Sequence, residues 1–181
     1  MNFAFRKQDI QNLFHRASFP FPNVVDLAFL SLLKAKPVCT NSIANICKVS
    51  FRLQIARIEK GLAEPVIKVG NISVQRDFLD VRDVVKAYAL LMEKGKTGEV
   101  YNVCSGKSVL LKEILNILLS FSSKAIEIQV DSQKLRKSDI SLLFGDNQKI
   151  KQELSWEPKI TLKQSLFDLL EYWRGKVKSE E

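Results

Sequence analysis

The sequence predicts an α/β fold. Short runs of apolar or alternating residues, at 65–69, 99–103 and 125–130, have the length and pattern of strands. Between them lie longer segments whose apolar residues recur every three or four positions, as in helices. Strand-like and helix-like segments alternate, which is the signature of an α/β class rather than of separate α and β blocks.

The elements follow in order. Phe19-Pro20-Phe21-Pro22-Asn23 reads as an extended or turn segment, because a residue before proline is pushed out of the helical region. Residues 24–36 suit one apolar helix ended before Pro37, and residues 38–48 have no clear period. Phe51, Ile55, Ile58 and Leu62 then recur at helical spacing, with Gly61 as the C-terminal cap. A strand is expected over 65–69 and an extended stretch over 78–81. Asp80 and Asp83 start a helix that buries Val84, Val85, Tyr88, Leu91 and Met92. Gly95 and Gly98 end it and turn the chain into the strand at 99–103. Ser108 is expected to cap the next helix, which buries Leu111, Ile114, Leu115, Leu118 and Leu119. Strands follow at 125–130 and 141–144, and Asp146 opens a short helix reaching Leu154. Thr161 with Gln164 forms a capping box for the last helix, whose core face is Leu162, Leu166, Leu169, Leu170 and Trp173. The segment after Arg174 is a charged tail.

Composition narrows the class of function. With 181 residues, 46% of them hydrophobic and 27% charged, the chain suits one globular domain or a large piece of one. No apolar run reaches the roughly 18 to 20 residues that span a bilayer, and no signal peptide is read, so no membrane association is expected. Three cysteines (Cys39, Cys47, Cys104) lack metal-ligand spacing and are odd in number; neither a disulfide framework nor a zinc site is expected, and a cytoplasmic location follows. The net charge is +8. Residues 1–75 hold ten basic and four acidic residues, so most of the excess lies there. It is spread rather than gathered into a basic stripe with aromatics, so no nucleic-acid partner is expected.

Several motifs reduce to structure. Gly95-Lys96-Thr97 mimics the end of a phosphate-binding loop, but the glycine needed five residues earlier is Leu90; it reads as a helix-to-strand turn. Tyr172 and Lys176 have a Tyr-x-x-x-Lys spacing, but on the last helix beside Gly175, where a surface coincidence is the simpler reading. His15 is the single histidine and has no nucleophile at a recognisable spacing. Cys104 reads as a small buried hydrophobe. All seven glycines lie at Gly61 or later, so the first sixty residues hold no glycine-rich phosphate loop.

The segment from Gln75 to Asp83 is different. Asp80 and Asp83 have a structural use as helix starters, but Arg76, expected at a loop edge before a strand, has none. Arginine there suits paired hydrogen bonds to a phosphate. Arg136 with Asp139 follows another strand. Two readings stay open: an anion site built on Arg76 and Arg136, or two surface salt bridges.

The strings VGNISVQRDFLDVRDVVKAYALLMEKGKTGEVYNVCSGK, the upstream SFRLQIARIEKGLAEPVIKVGN, and the downstream LRKSD and LLFGDNQKIKQELSWEPKITLKQSLFDLLEYWR resemble one family. It is the carboxyl-terminal, substrate-binding part of extended short-chain dehydrogenase/reductases with a Rossmann-like fold. Within the NAD-dependent epimerases and dehydratases, the similarity points to GDP-mannose 4,6-dehydratases and their sister GDP-6-deoxy-4-keto-mannose reductases. The resemblance covers residues 49–174; residues 1–48 stay unassigned and 175–181 are the tail.

The resemblance implies that Arg76, in the RDF motif, contacts a nucleotide-sugar diphosphate. It implies that Arg136 also reaches the diphosphate and that Asp139 binds the nucleotide ribose. Lys137 stands where the family has proline, which loosens that loop. Gln54 takes the place of a nucleotide-holding lysine of the dehydratases, a feature closer to the reductase branch, and Asn71 has a lesser binding role. The family's cofactor is NADP or NAD. Its glycine-rich loop and Tyr-x-x-x-Lys pair belong to an amino-terminal half that this sequence does not match, so no cofactor binding and no turnover are expected of the chain alone. The expected ligand is a GDP-sugar. Self-association or pairing with a complementary Rossmann half is expected through apolar helix faces such as Leu115/Leu119 or Val84/Tyr88. The alternative is a non-catalytic remnant or interaction module.

Overall fold

The computed structural model describes residues 4–6, 51–134 and 140–178. The elements run β1 (Ala4–Arg6), α1 (Phe51–Glu59), β2 (Val66–Val69), β3 (Gln75–Asp77), α2 (Val81–Lys94), β4 (Val100–Asn102), β5 (Ser108–Leu110), α3 (Leu111–Ser120), β6 (Glu127–Val130), β7 (Leu142–Leu143), α4 (Gln148–Leu154) and α5 (Leu162–Lys178). The segments expected at 19–23 and 24–36, together with His15, Cys39 and Cys47, lie outside the described residues. The fold is α/β, and its chain divides into two compact units.

One unit takes in residues 77–107 and 144–160 together with β1. β1 pairs antiparallel with β4, Phe5 opposite Tyr101. Its core gathers Leu79, Ala87, Leu91, Tyr101, Ile150 and Trp156, with Val84, Tyr88 and Met92 packed against it. Helix α2 starts where Asp80 takes extended backbone and its carboxylate accepts the Arg82 N–H at 2.8 Å. It ends at Gly95, whose N–H donates to the Leu91 carbonyl at 2.9 Å. A side chain there would strike that same carbonyl at 2.5 Å, so glycine is required by close approach. The Gly-Lys-Thr stretch is thus the turn that was expected.

Asp83 holds this unit's loops. It is 1% exposed, and one carboxylate oxygen accepts the N–H groups of Lys159 and Ile160 at 2.9 and 2.8 Å. Asp83 therefore fastens α2 to the loop after α4 rather than closing a capping box on Asp80. Asp77 does a similar job. It accepts from the N–H groups of Ser105 (2.9 Å), Gly106 (3.0 Å) and Gly145 (3.3 Å).

The other unit takes in residues 51–76, 108–134, 140–143 and 161–178. β2 and β6 pair in parallel, Val66 opposite Glu127 through Val69 opposite Val130. A second sheet has the order β5-β3-β7, with β3 and β7 parallel. Helices α1, α3 and α5 pack on one another and bury Ile55, Ile58, Ile114, Leu115, Leu118, Leu166 and Leu170. At the start of α5 the Gln164 N–H donates to the Thr161 hydroxyl at 3.2 Å, but the Gln164 side chain reaches forward to Asp168, so only half of the capping box forms.

Four local expectations are corrected. The strand lies at Gln75–Asp77, not 78–81, because Phe78 and Leu79 turn into the core and Asp80 already caps α2. Ser108 opens strand β5 instead of capping a helix; α3 begins at Leu111 after Leu110, with no side-chain cap. Leu62 lies beyond the end of α1 and is exposed. Leu115 is fully buried and Val84, Tyr88 and Leu119 are half-buried, because α5 covers α3 in one unit while β4 and α4 cover α2 in the other.

Candidate functional site

Arg76 is the middle residue of β3, the central strand of the sheet β5-β3-β7. It therefore stands within a strand, not at the loop edge expected from sequence. Leu143 of β7 is its register partner. The side chain is half-buried, and its Nη1 donates to the carbonyl of Gln75 at 2.7 Å. Among the described residues no carboxylate forms an ion pair with Arg76. A guanidinium drawn partly out of water and not neutralised by any described carboxylate favours an anion beside it.

Two hydrogen bonds of Gln75, the residue before Arg76, stiffen this strand. Ser108 Oγ donates to Gln75 Oε1 at 2.9 Å, joining β5 to β3. The Gln75 N–H donates to the Ser141 carbonyl at 2.7 Å, joining β3 to the start of β7. The sequence marks neither Gln75 nor Ser108 as a site residue. Ser108 reads as a helix cap in the sequence because the apolar run Val109-Leu110-Leu111 merges into the helix that follows.

Of the other expected site residues, Gln54 and Asn71 belong to the same unit. Gln54 lies on the second turn of α1 and is half-buried. Asn71 lies in the turn after β2, where its Oδ1 accepts the Ser73 N–H at 3.0 Å; its first task is to shape that turn. Arg136 and Asp139 lie outside the described residues, which begin again at Ile140.

The starts of α2 and α3 do not suit a dinucleotide. A pyrophosphate is held where a glycine-lined turn leaves helix N–H groups open to an anion. At α2 that place is taken by the Asp80 carboxylate, which would repel phosphate; at α3 it follows Leu110 directly, with no glycine. No hydride step is therefore derived from these residues. Cys104 is equally unsuited to chemistry. Burial and the nearby Asp77 carboxylate push its thiol up to about 11. Tyr101 is likewise pushed up, by burial and by its hydrogen bond to Glu153.

Comparison with known proteins agrees with this fold. Residues 43–169 match the family model described as GDP-mannose 4,6 dehydratase. The GDP-6-deoxy-D-mannose reductase of Pseudomonas aeruginosa is 39% identical over 127 residues, covering 70% of this chain and 42% of the reductase. GDP-mannose 4,6 dehydratase 1 of Arabidopsis thaliana is 29% identical over 108 residues, covering 59% of this chain and 29% of that protein. The solved structure of RMD from Pseudomonas aeruginosa complexed with NADPH superposes with a TM-score of 0.65 at 38% identity, covering 69% of this chain and 41% of that one.

The α/β fold and these likenesses define a member of the extended short-chain dehydrogenase/reductases, a class whose solved relatives include NADPH and NAD complexes. The chain belongs to the GDP-mannose 4,6 dehydratase family. It spans about two-fifths or less of the length of these relatives.

Proposed function

We propose that residues 49–174 form the nucleotide-sugar-binding part of an enzyme of this family, and that the ligand is a GDP-hexose. The observation that carries this reading is the half-buried Arg76 guanidinium on β3, with no carboxylate paired to it among the described residues. Its planar fork suits two oxygens of a diphosphate. Arg136 would add a second cation to the same diphosphate, Asp139 would accept the ribose hydroxyls, and Gln54 and Asn71 would hydrogen-bond the nucleotide.

Of the two family activities, GDP-6-deoxy-4-keto-mannose reduction is favoured over GDP-mannose 4,6-dehydration. The Pseudomonas aeruginosa reductase shares 39% identity, against 29% for the Arabidopsis thaliana dehydratase. Gln54 in place of lysine agrees with that branch.

Both activities need a nicotinamide, NADP or NAD, which supplies hydride exchange at the sugar when bound. This chain's own residues bind and orient the diphosphate. On this reading the chain alone holds a GDP-sugar in the cytoplasm without turning it over.

Ligand-observed NMR with GDP-mannose tests the reading. Saturation transfer from the chain to the GDP and sugar protons is expected, and its loss in Arg76→Ala. Equal transfer in both proteins would remove Arg76 from the site, and none from the native chain would remove the ligand site and leave ancestry alone.

A further inference from the structure

Resting on that reading of Arg76, we infer that Gln75 and Ser108 are positioning residues for its guanidinium. The chain of contacts is short. Ser108 Oγ donates to Gln75 Oε1 at 2.9 Å, and the Gln75 carbonyl accepts from Arg76 Nη1 at 2.7 Å. Successive side chains leave a strand on opposite faces, so Gln75 does not touch Arg76 through its carboxamide. It acts through its main chain.

An arginine side chain carries about 2 kcal/mol of rotamer entropy, and ordering it on an incoming anion loses part of the binding energy. Here one Nη is already held by a carbonyl, and the carbonyl belongs to a strand fastened on both sides. Ser108 ties Gln75 to β5, and the Gln75 N–H donates to the Ser141 carbonyl at 2.7 Å. The guanidinium keeps its other donors for an anion while its direction is set beforehand. Family resemblance assigns nothing to either residue; the sheet order β5-β3-β7 brings them together.

The test uses GDP-mannose binding by the full 181-residue chain, with Ser108→Ala and Ser108→Thr made in both the native and the Arg76→Ala backgrounds. Threonine keeps the hydroxyl donor and suits a strand. Ser108→Ala is expected to weaken binding about fivefold, the equivalent of one net hydrogen bond. Ser108→Thr is expected to restore it, and in the Arg76→Ala background Ser108→Ala should add nothing, because its effect runs through the guanidinium. Circular dichroism and thermal melting report whether each variant is folded. Unchanged affinity in folded Ser108→Ala, no recovery with threonine, or an equal loss without Arg76 would overturn the positioning role while leaving the ligand site intact. Failure of the native chain to bind, or native-like binding by Arg76→Ala, would overturn the site and the positioning role together.

Discussion

Arg174 on α5 and Glu59 at the end of α1 form a forked ion pair across 115 residues of sequence, with Nε to Oε2 at 2.7 Å and Nη2 to Oε1 at 2.5 Å. The same guanidinium donates to the Phe121 carbonyl at 2.8 Å, so one side chain gathers α1, α5 and the end of α3. Burial alone would raise the Glu59 carboxyl, but the hydrogen bonds and charge of Arg174 outweigh it and hold it below the usual range. A carboxyl lowered in the folded state contributes stability above its unfolded pKa, and that stability is lost as pH falls through the folded value.

Thermal stability is therefore expected to decline as the pH drops below about 4.5, the reference value for this carboxyl. Glu59→Gln should flatten that part of the curve and cost about 2 kcal/mol at neutral pH, since it removes the forked partner of a partly buried guanidinium and leaves it the more exposed Glu171 carboxylate. Melting curves from pH 3 to 7 on both proteins check this. A Glu59→Gln profile that parallels the native one would show that another carboxyl sets the acid limb.

Ser155 closes α4 in a left-handed conformation, φ 53° and ψ 30°, which glycine adopts without strain. Ser155→Gly is expected to stabilise the chain by about 0.5 kcal/mol, the relief of strain exceeding the entropy added to the unfolded chain. Denaturant titration measures it. A lower midpoint for the glycine variant would contradict it.

Asp83→Ala should be among the most damaging single changes in its unit. It removes the acceptor for the Lys159 and Ile160 N–H groups and frees α2 from the loop after α4. A loss of about 3 kcal/mol is expected, the scale of two hydrogen bonds to a charged acceptor. Urea unfolding gives the value, and a loss under about 1 kcal/mol would mean that water replaces the carboxylate readily.

The Cys104 thiol, raised to about 11, is expected to alkylate slowly at pH 8 and to accelerate only as the pH approaches that value. Peptide mapping after iodoacetamide treatment follows this residue separately from Cys39 and Cys47. Rapid labelling of the half-buried Cys104 at pH 8 would contradict its raised thiol.

How much of this was legible in the sequence depends on what fixed each element. Helices with a wide apolar face, such as α2 and α5, were readable because burial repeats along them, and Asp80, Gly61 and Gly95 marked ends through local backbone chemistry. The sheet β5-β3-β7 was not readable as such. Its strands are two or three residues long, too short to show a period, and are defined by pairing partners far away in sequence. Asp83 looked like a capping residue from its spacing, but its partners stand 76 and 77 residues away. Arg76 reads in the sequence as a loop-edge arginine without a structural use; its place in the centre of a sheet, and the Gln75–Ser108 bond beside it, needed the fold.

Isothermal titration calorimetry of GDP-mannose into the native chain and into Arg76→Ala tests the central claim most directly. A saturating heat is expected for the native chain, with affinity at least tenfold weaker once the charge-assisted bonds of Arg76 are gone. Superimposable isotherms, or no heat from the folded native protein, would contradict it.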